Sequence, residues 1–461
     1  MATLAPWRLK GAAAQPETAR SLALEILQRV EKTDAYANLL LDAWLRKRRL
    51  AAADRALATE LTYGVLRWQG KLDYLLGRVL DRPILVLDPP VRHILRLGTY
   101  QLCCLDRIPD FATVDEAVEL TRWAGVARSA GYVNAVLRAI VRGREEPPPV
   151  PARDPHDYWS SLGSHPRWLV ERWIARLGAE EAGRLMAANN EAPPLGVVVN
   201  QLKAGIQEAR GVLPDAGVEV QPGRFVAGAF SLRGAGAPEA LQGFREGWLI
   251  PMDEAGALPV LALRLGEGLR ALDACAGGGS KSALMAGAVG WKGEIVALDQ
   301  SPRAIRRLEA ARRRLGLEMV KPQLQDARAA GAMWPRGFAR VLLDAPCTGL
   351  GTIRRRPEIK WRRRAEDLPR AARLQAELLE GVAAAVAEDG LLVYSTCSLE
   401  PEETDGVVEE FLRTHPEFRR EDPAAAVASR ADLVGADGFL RAWPHRQGTD
   451  GFFVACLRRG R

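Results

Sequence analysis

The sequence predicts an α/β protein with a doubly wound parallel sheet, preceded by an all-helical domain and a small α+β subdomain. Three observations predict this. Residues 17–145 read as helix throughout. Residues 190–248 mix a strand-like run, LGVVVN (195–200), with a helix-like stretch. From about residue 265, short apolar runs alternate with helical stretches, the rhythm of right-handed crossovers in a parallel sheet. The expected divisions are 1–145, 146–248 and 249–461.

The helical region comes first. In ARSLALEILQRVEK, Ala23, Ile26, Leu27 and Val30 follow the spacing of one buried helix face. In PPVRHILRLGTYQL, Val91, Ile94, Leu95, Gly98 and Leu102 do the same, with Pro90 near the helix start, where a missing N–H costs little. Gly98 on that stripe admits a close helix neighbour, and His93 lies off it, so a surface position is expected for the histidine. The strings DRALATELTYGVLR (54–67), LRLGTYQL (95–102), VDEAVEL (114–120) and YVNAVLRAIVR (132–142) resemble the NusB-like helical domain. That resemblance implies RNA binding rather than chemistry.

A Pro-rich linker, EPPPVPARDP, follows at 146–155. Next comes a helix in HPRWLVERWIARLG, with Trp168, Leu169, Trp173 and Ile174 expected to pack. Beyond the α+β region, the runs GLRALDA, GEIVALD, FARVLLDAP and GLLVYSTC read as strands, with helices at 303–316 and 373–388 between them. Ligands of such sheets bind beyond the C-terminal strand ends. Asp273, Asp299, Asp344 and Cys397 each end or follow a strand.

The segment LDACAGGGSKS (272–282) ends a strand and opens a helix. Gly277, Gly278 and Gly279 let the backbone turn tightly and approach a ligand, and the helix N-terminus offers free N–H groups. A plain tight turn would look the same in isolation. Asp299 ends the next strand, where an acid accepts hydrogen bonds from ribose hydroxyls, and Asp326 follows the third strand, placed to meet an adenine edge. There is no GxGxxG spacing and no Walker lysine pattern, which disfavours NAD and ATP.

DAPCTGLG (344–351) and YSTCSLEPEE (394–403) each put a cysteine just past a predicted strand end. With six cysteines, no CxxC pair and five histidines, a zinc site is not expected, nor is a disulfide framework in a reducing compartment. Buried cysteines are commonly inert small hydrophobes, so catalysis needs a specific chemical reason. Carbon 5 of cytosine supplies one, being a poor nucleophile. A thiolate adding to carbon 6 makes carbon 5 enamine-like, a carboxyl group beside N3 manages the charge, and carbon 5 must then lose its proton before the thiol leaves. Asp344, Cys347 and Cys397 are the groups this chemistry asks for.

These motifs, with TGLGTIRRRPEIKW (348–361) and GTDGFFVACLRR (448–459), resemble the RNA cytosine-5 methyltransferase family, in its bacterial small-subunit ribosomal RNA branch, the RsmB (Sun/Fmu) type with a NusB-like N-terminal domain. The resemblance implies a Rossmann-like catalytic domain that uses S-adenosyl-L-methionine. It implies Cys397 as nucleophile, Cys347 assisting product release, and Asp344 contacting both cofactor and base. The implied cofactor residues are Cys275, Ala276, Gly277, Gly278, Gly279, Ser280, Lys281, Asp299, Asp326 and Asp344. Two departures stand out. The family reads close to DACAAPGGKT where this chain reads DACAGGGSKS, which loosens the loop. MDEAGA (252–257) keeps Asp253 and Glu254 but lacks two glutamines often found there.

The net charge is +7, compatible with an RNA partner without establishing one. RRRPEIKWRRR (354–364) holds seven basic residues around Trp361, and helix 303–316 adds Arg303, Arg306, Arg307, Arg312, Arg313 and Arg314. Basic clusters attract phosphates and an aromatic stacks on a base. For the helix a solvated face is an equal explanation. The loop, following Cys347 directly, is the stronger candidate for RNA. The target cytosine has to be unstacked to reach Cys397. Apolar runs are broken before a membrane span's length, and the N-terminus lacks an apolar signal core. The expectation is a cytoplasmic monomer with 16S rRNA or an assembling small subunit as partner, no membrane and no metal. Transfer RNA is the alternative substrate. A non-catalytic RNA-binding assembly factor is the competing class, against which the intact Asp344, Cys347 and Cys397 argue. A nucleotide-dependent oxidoreductase would leave both cysteine motifs unexplained.

Overall fold

The computed structural model describes residues 18–48, 50–144, 154–213, 217–423 and 431–460. Its contacts divide the chain into two compact units, Met1–Asn190 with Arg356–Arg362, and Glu191–Arg355 with Arg363–Arg461. Residues 146–153 of the Pro-rich linker lie outside the described residues.

The first unit is helical: α1 (Ala19–Lys32), α2 (Ala37–Lys47), α3 (Ala52–Gly77), α4 (Pro89–Cys104), α5 (Asp110–Trp123), α6 (Ala130–Gly143), α7 (Pro155–Ser160), α8 (Arg167–Leu177) and α9 (Ala179–Asn189). Thr18 caps α1, its hydroxyl accepting from Ser21 N–H at 3.2 Å. The predicted faces of α1 and α4 are buried. At Gly98 a Cβ would lie 2.7 Å from Leu137 of α6, so the glycine does admit a close neighbour.

His93 departs from its expected surface position. It is buried, and Nε2 lies 3.0 Å from Glu31 Oε2, while Arg92 donates to the same carboxylate at 2.7 Å. Every residue from Val91 to Leu102 is buried. A helix packed on all sides has no solvent face, so stripe position could not decide the histidine's surroundings. Burial opposes the Glu31 charge, but His93 and Arg92 outweigh it and bring the carboxyl down to about 2. In α8, Leu169 and Trp173 are buried as expected, but Val170 is the third buried side chain, and Trp168 and Ile174 are only half-buried.

The second unit opens with β1 (Leu195–Val199), α10 (Ile206–Gly211), β2 (Glu219–Pro222), β3 (Ala229–Arg233), α11 (Gln242–Arg245) and β4 (Leu249–Pro251). They build an antiparallel sheet of order β2-β3-β1-β4. The chain continues with α12 (Glu254–Ala262), β5 (Arg270–Asp273), α13 (Ser280–Val289), β6 (Glu294–Asp299), α14 (Pro302–Leu315), β7 (Val320–Leu324), α15 (Ala330–Met333) and β8 (Phe338–Asp344). After α16 (Glu358–Arg362), part of the first unit, come α17 (Asp367–Ala383), β9 (Val386–Thr396), α18 (Asp405–Thr414), β10 (Phe418–Glu421), β11 (Leu440–Ala442), α19 (Pro444–Gln447) and β12 (Phe452–Arg459). The expected helix at 373–388 therefore starts earlier and gives way to strand at Val386.

The large sheet has the order β10-β12-β9-β8-β5-β6-β7, with β11 beside β12. Strands β7 to β9 in that path are mutually parallel, as expected. The sheet is not parallel throughout, however, because β12 runs antiparallel to β9 and pairs antiparallel with β10 and β11 in turn. Parallel strands are apolar on both faces because helices cover both. In β9, Leu391 and Val393 join the core with α12 and α13, while Leu392 and Tyr394 join the core with α17 and α18. No described helix is long and apolar enough to cross a membrane.

At Gly64 in α3 the Tyr100 ring of α4 occupies the space of a Cβ. Replacing Gly64→Val should lower stability by about 1–3 kcal/mol through overpacking, read as a lower denaturation midpoint at unchanged slope. An unchanged midpoint would show that the ring moves away at no cost.

Candidate active site

After β5 the backbone turns through Gly277 (φ +56°) and Gly279 (φ +87°) and enters α13 at Ser280. Both angles are left-handed, the region glycine adopts without strain. A side chain at Gly279 would strike Leu308 of α14, whereas beside Gly277 and Gly278 the Cβ direction is open. The loop is tied down from β6. Asp299 Oδ2 accepts from Gly277 N–H at 3.0 Å and Oδ1 accepts from Ser301 N–H at 2.8 Å. Ala276 N–H donates to Leu298 O at 2.8 Å. Buried Asp273 accepts from Ser282 Oγ at 2.6 Å, and burial pushes its carboxyl up to about 6.

Cys275 is half-buried, and its thiol is pushed well up by burial and then by the charges of Asp273, Asp344, Asp299 and Asp326. An open glycine cradle beside a helix N-terminus, with acids at the neighbouring strand ends, fits the ribose, amine and carboxylate of an amino-acid nucleoside. Asp326 follows the third strand as expected, but its carboxylate takes Arg328 Nη2 at 2.7 Å and caps a 3₁₀ turn. That pairing holds it below the usual range.

The candidate reacting groups sit one strand over. β8 and β9 are parallel neighbours with Asp344 level with Ser395, so the chain leaves both strands at the same edge. Asp344 accepts from Lys281 Nζ at 2.6 Å and from Ser395 Oγ at 2.9 Å. Burial disfavours the Lys281 charge, but Asp344 outweighs it and the ammonium is held. Past the strand ends, Cys347 Sγ and Cys397 Sγ are 3.2 Å apart. The Cys347 thiol is pushed well up, first by its hydrogen bond with Cys397 and then by burial.

Further buried polar groups tie down the loops around this pair. Glu403 is fully buried and accepts from Thr348 N–H at 2.8 Å, Thr348 Oγ1 at 2.5 Å, Ser398 Oγ at 2.5 Å and Gln375 Nε2 at 3.1 Å. Gln375 of α17 also donates to Pro346 O at 3.0 Å. Gly351 N–H donates to Cys397 O at 3.0 Å, and Gly451 N–H donates to Gly351 O at 2.7 Å, an approach that leaves no room for a Cβ at Gly351. Asp253 and Asp450 share Arg355, whose Nε donates to Asp450 at 2.7 Å. Nothing in YSTCSLEPEE distinguishes Glu403 from Glu400 or Glu402; only the position of Thr348 does.

The basic segment 354–364 corrects an expectation. Arg354 is buried and donates to Gly448 O at 2.7 Å. Lys360 is fully buried, its Nζ donating to Arg67 O at 2.8 Å and Asn190 Oδ1 at 2.9 Å, and burial pushes its pKa far down. Trp361 spends its indole N–H on Leu66 O at 2.6 Å, Arg362 donates to Val30 O at 2.8 Å, and Arg363 donates to Thr348 O at 2.9 Å. Among these residues only Arg364 is exposed. The run is neither a solvated face nor an RNA stripe, because its side chains satisfy backbone carbonyls and buried acids. On α14, Arg303, Arg306, Arg307 and Arg313 are exposed, but Arg312 pairs with Glu309 and Arg314 donates to Phe244 O at 2.7 Å.

Comparison with known proteins places this geometry in a family. Residues 260–458 match the model of the 16S rRNA methyltransferase RsmB/F family, residues 17–142 the NusB family, and residues 165–237 the ferredoxin-like domain of RsmF/B-like methyltransferases. The chain is 36% identical to the "Probable ribosomal RNA small subunit methyltransferase B" of Bacillus subtilis, covering 95% of this chain and 98% of that one. It is 33% identical to the ribosomal RNA small subunit methyltransferase B of Pseudomonas putida, with 95% and 98% covered. The crystal structure of PH0851 superposes with a TM-score of 0.81 at 28% identity, over 96% of this chain and all of that one. The chain therefore belongs to the RsmB/F family of 16S rRNA methyltransferases, enzymes that take their methyl group from S-adenosylmethionine.

Proposed function

We propose that this protein methylates carbon 5 of a cytosine in small-subunit (16S) ribosomal RNA through a covalent cysteine adduct. The observation that carries the reading is the pair of thiols 3.2 Å apart beside a lysine-held carboxylate. Cys397 Sγ adds to carbon 6 of the unstacked base, which makes carbon 5 nucleophilic. Asp344, fixed by Lys281 and Ser395, faces N3 and balances the charge that develops there. When bound, S-adenosylmethionine supplies an electrophilic methyl group. Residues 275–281, with Asp299, Asp326 and Asp344, would hold it. Carbon 5 then loses its proton and the Cys397–carbon 6 bond breaks, with Cys347 assisting that elimination.

The same reading assigns RNA binding to 1–145, a small α+β subdomain after the linker to 146–248, and catalysis to 249–461, in a cytoplasmic monomer. Bisulfite sequencing of ribosomal and transfer RNA from cells lacking the gene tests the substrate. Loss of one 16S rRNA 5-methylcytosine is expected, and loss confined to transfer RNA would reassign it.

Asp299→Ala removes both the loop's tether and a ribose acceptor. Calorimetry should show S-adenosylmethionine affinity falling about 10- to 100-fold, the size of losing a charged hydrogen bond. Wild-type affinity in the variant would remove Asp299 from the cofactor site.

The two cysteines should fail differently. Cys397→Ala should form neither adduct nor product. Cys347→Ala permits attack and methyl transfer but impairs elimination, so a covalent protein–RNA complex should accumulate on a denaturing gel. The reverse pattern would make Cys347 the nucleophile, and methylation persisting in both variants without any adduct would end the covalent mechanism.

A further inference from the structure

We propose that Glu403 is a positioning residue for the cysteine pair, its carboxylate setting the Cys347–Cys397 separation by binding both cysteine loops at once. The inference rests on the two-thiol reading above and adds the group that holds the thiols together. The last hydrogen bond joining the two strand ends is Ala345 N–H to Ser395 O at 2.9 Å. Beyond it the sheet no longer sets the spacing, yet both thiols lie there. Glu403 bridges this gap through the residues that directly follow the thiols. Oε1 accepts from Thr348 N–H at 2.8 Å and Gln375 Nε2 at 3.1 Å, while Oε2 accepts from Thr348 Oγ1 and Ser398 Oγ, both at 2.5 Å.

A carboxylate has about four lone-pair sites, and four donors fill them. An amide has one such oxygen and turns N–H groups toward hydroxyls that are already donating. Among the described residues Glu403 has no ion-pair partner, and its side-chain hydrogen bonds go to the two cysteine loops and to Gln375. The clamp is itself anchored. Tyr394 OH donates to Glu403 O at 2.8 Å, and Glu403 N–H donates to Glu400 O at 2.9 Å. The proposed chemistry needs one sulfur at carbon 6 and the other beside carbon 5, adjacent atoms of one ring. A displacement of one loop by about 1 Å costs on the order of 10²-fold in rate.

The test uses the full chain with Glu403→Gln, Thr348→Val and Thr348→Ser, all checked for S-adenosylmethionine binding by calorimetry as evidence of folding. Diamide treatment reads thiol proximity. Two S–H bonds break and one S–S bond forms, while the N=N bond of the reagent takes both hydrogens and becomes a hydrazine. Mass spectrometry quantifies the Cys347–Cys397 linked peptide. Glu403→Gln and Thr348→Val should form it about 10-fold more slowly than wild type, as expected for the loss of one or two hydrogen bonds, with Thr348→Ser near the wild-type rate. In methylation assays kcat should fall by about 10²-fold in Glu403→Gln with KM for RNA unchanged. Should Glu403→Gln not fold, Thr348→Val decides alone. Wild-type pairing rates in the folded variants would overturn the proposal. If the wild-type protein makes no 5-methylcytosine, the functional reading falls, while the pairing rates still decide the clamp.

Discussion

The parallel pairing of β8 with β9 is the constraint on which the site depends. Its register sets Asp344 level with Ser395, so two loops that are 50 residues apart in sequence leave the sheet at one edge. Asp344 can then be bound from both sides, by Lys281 and by Ser395. The glycine loop leaves β5, the strand on the other side of β8, which brings that loop and the thiols to adjacent strand ends. A shift of β9 by one residue would turn Ser395 to the other face and withdraw its hydroxyl from Asp344.

Where sheet hydrogen bonding stops, buried polar groups take over. Glu403 ties the two cysteine loops, and Arg355 ties Asp253 at the start of α12 to Asp450 in the turn before β12. Such buried charges are costly to desolvate and are retained only when their partners are well placed. Burial, and then the neighbouring Asp253 charge, push the Asp450 carboxyl up even with an arginine beside it. The Gly451–Gly351 contact closes the arrangement, with backbone meeting backbone where no side chain fits.

The segment between Arg354 and Arg364 shows how composition can mislead. Seven basic residues around a tryptophan have the composition of a nucleic-acid contact. In the fold, Arg354, Lys360, Trp361, Arg362 and Arg363 all donate to backbone carbonyls. A lysine aliphatic stem buries readily, and its amine is tolerated there once its hydrogens are accepted. The exposed arginines Arg303, Arg306, Arg307 and Arg313 stand instead on α14.

The sequence by itself determined the class of the fold, the order of its elements and the strand ends at which the candidate residues stand. Periodicity of 3.6 marked the helical domain, apolar runs buried on both faces marked the parallel strands, and glycines and cysteines at strand ends marked the turns where chemistry is placed. These are local signals, legible within a dozen residues. Tertiary structure alone decided which polar groups meet. His93 is buried because α4 is covered on every side, the basic run is internal because carbonyls await it, and β12 enters the sheet antiparallel because its pairing partner β9 is chosen across the fold. Glu403 was unreadable for the same reason, since its role is fixed by Thr348 and Ser398 on two different loops. Hydrogen-bond partners far apart in sequence leave no periodic trace, and only the packed chain brings them to 2.5 Å.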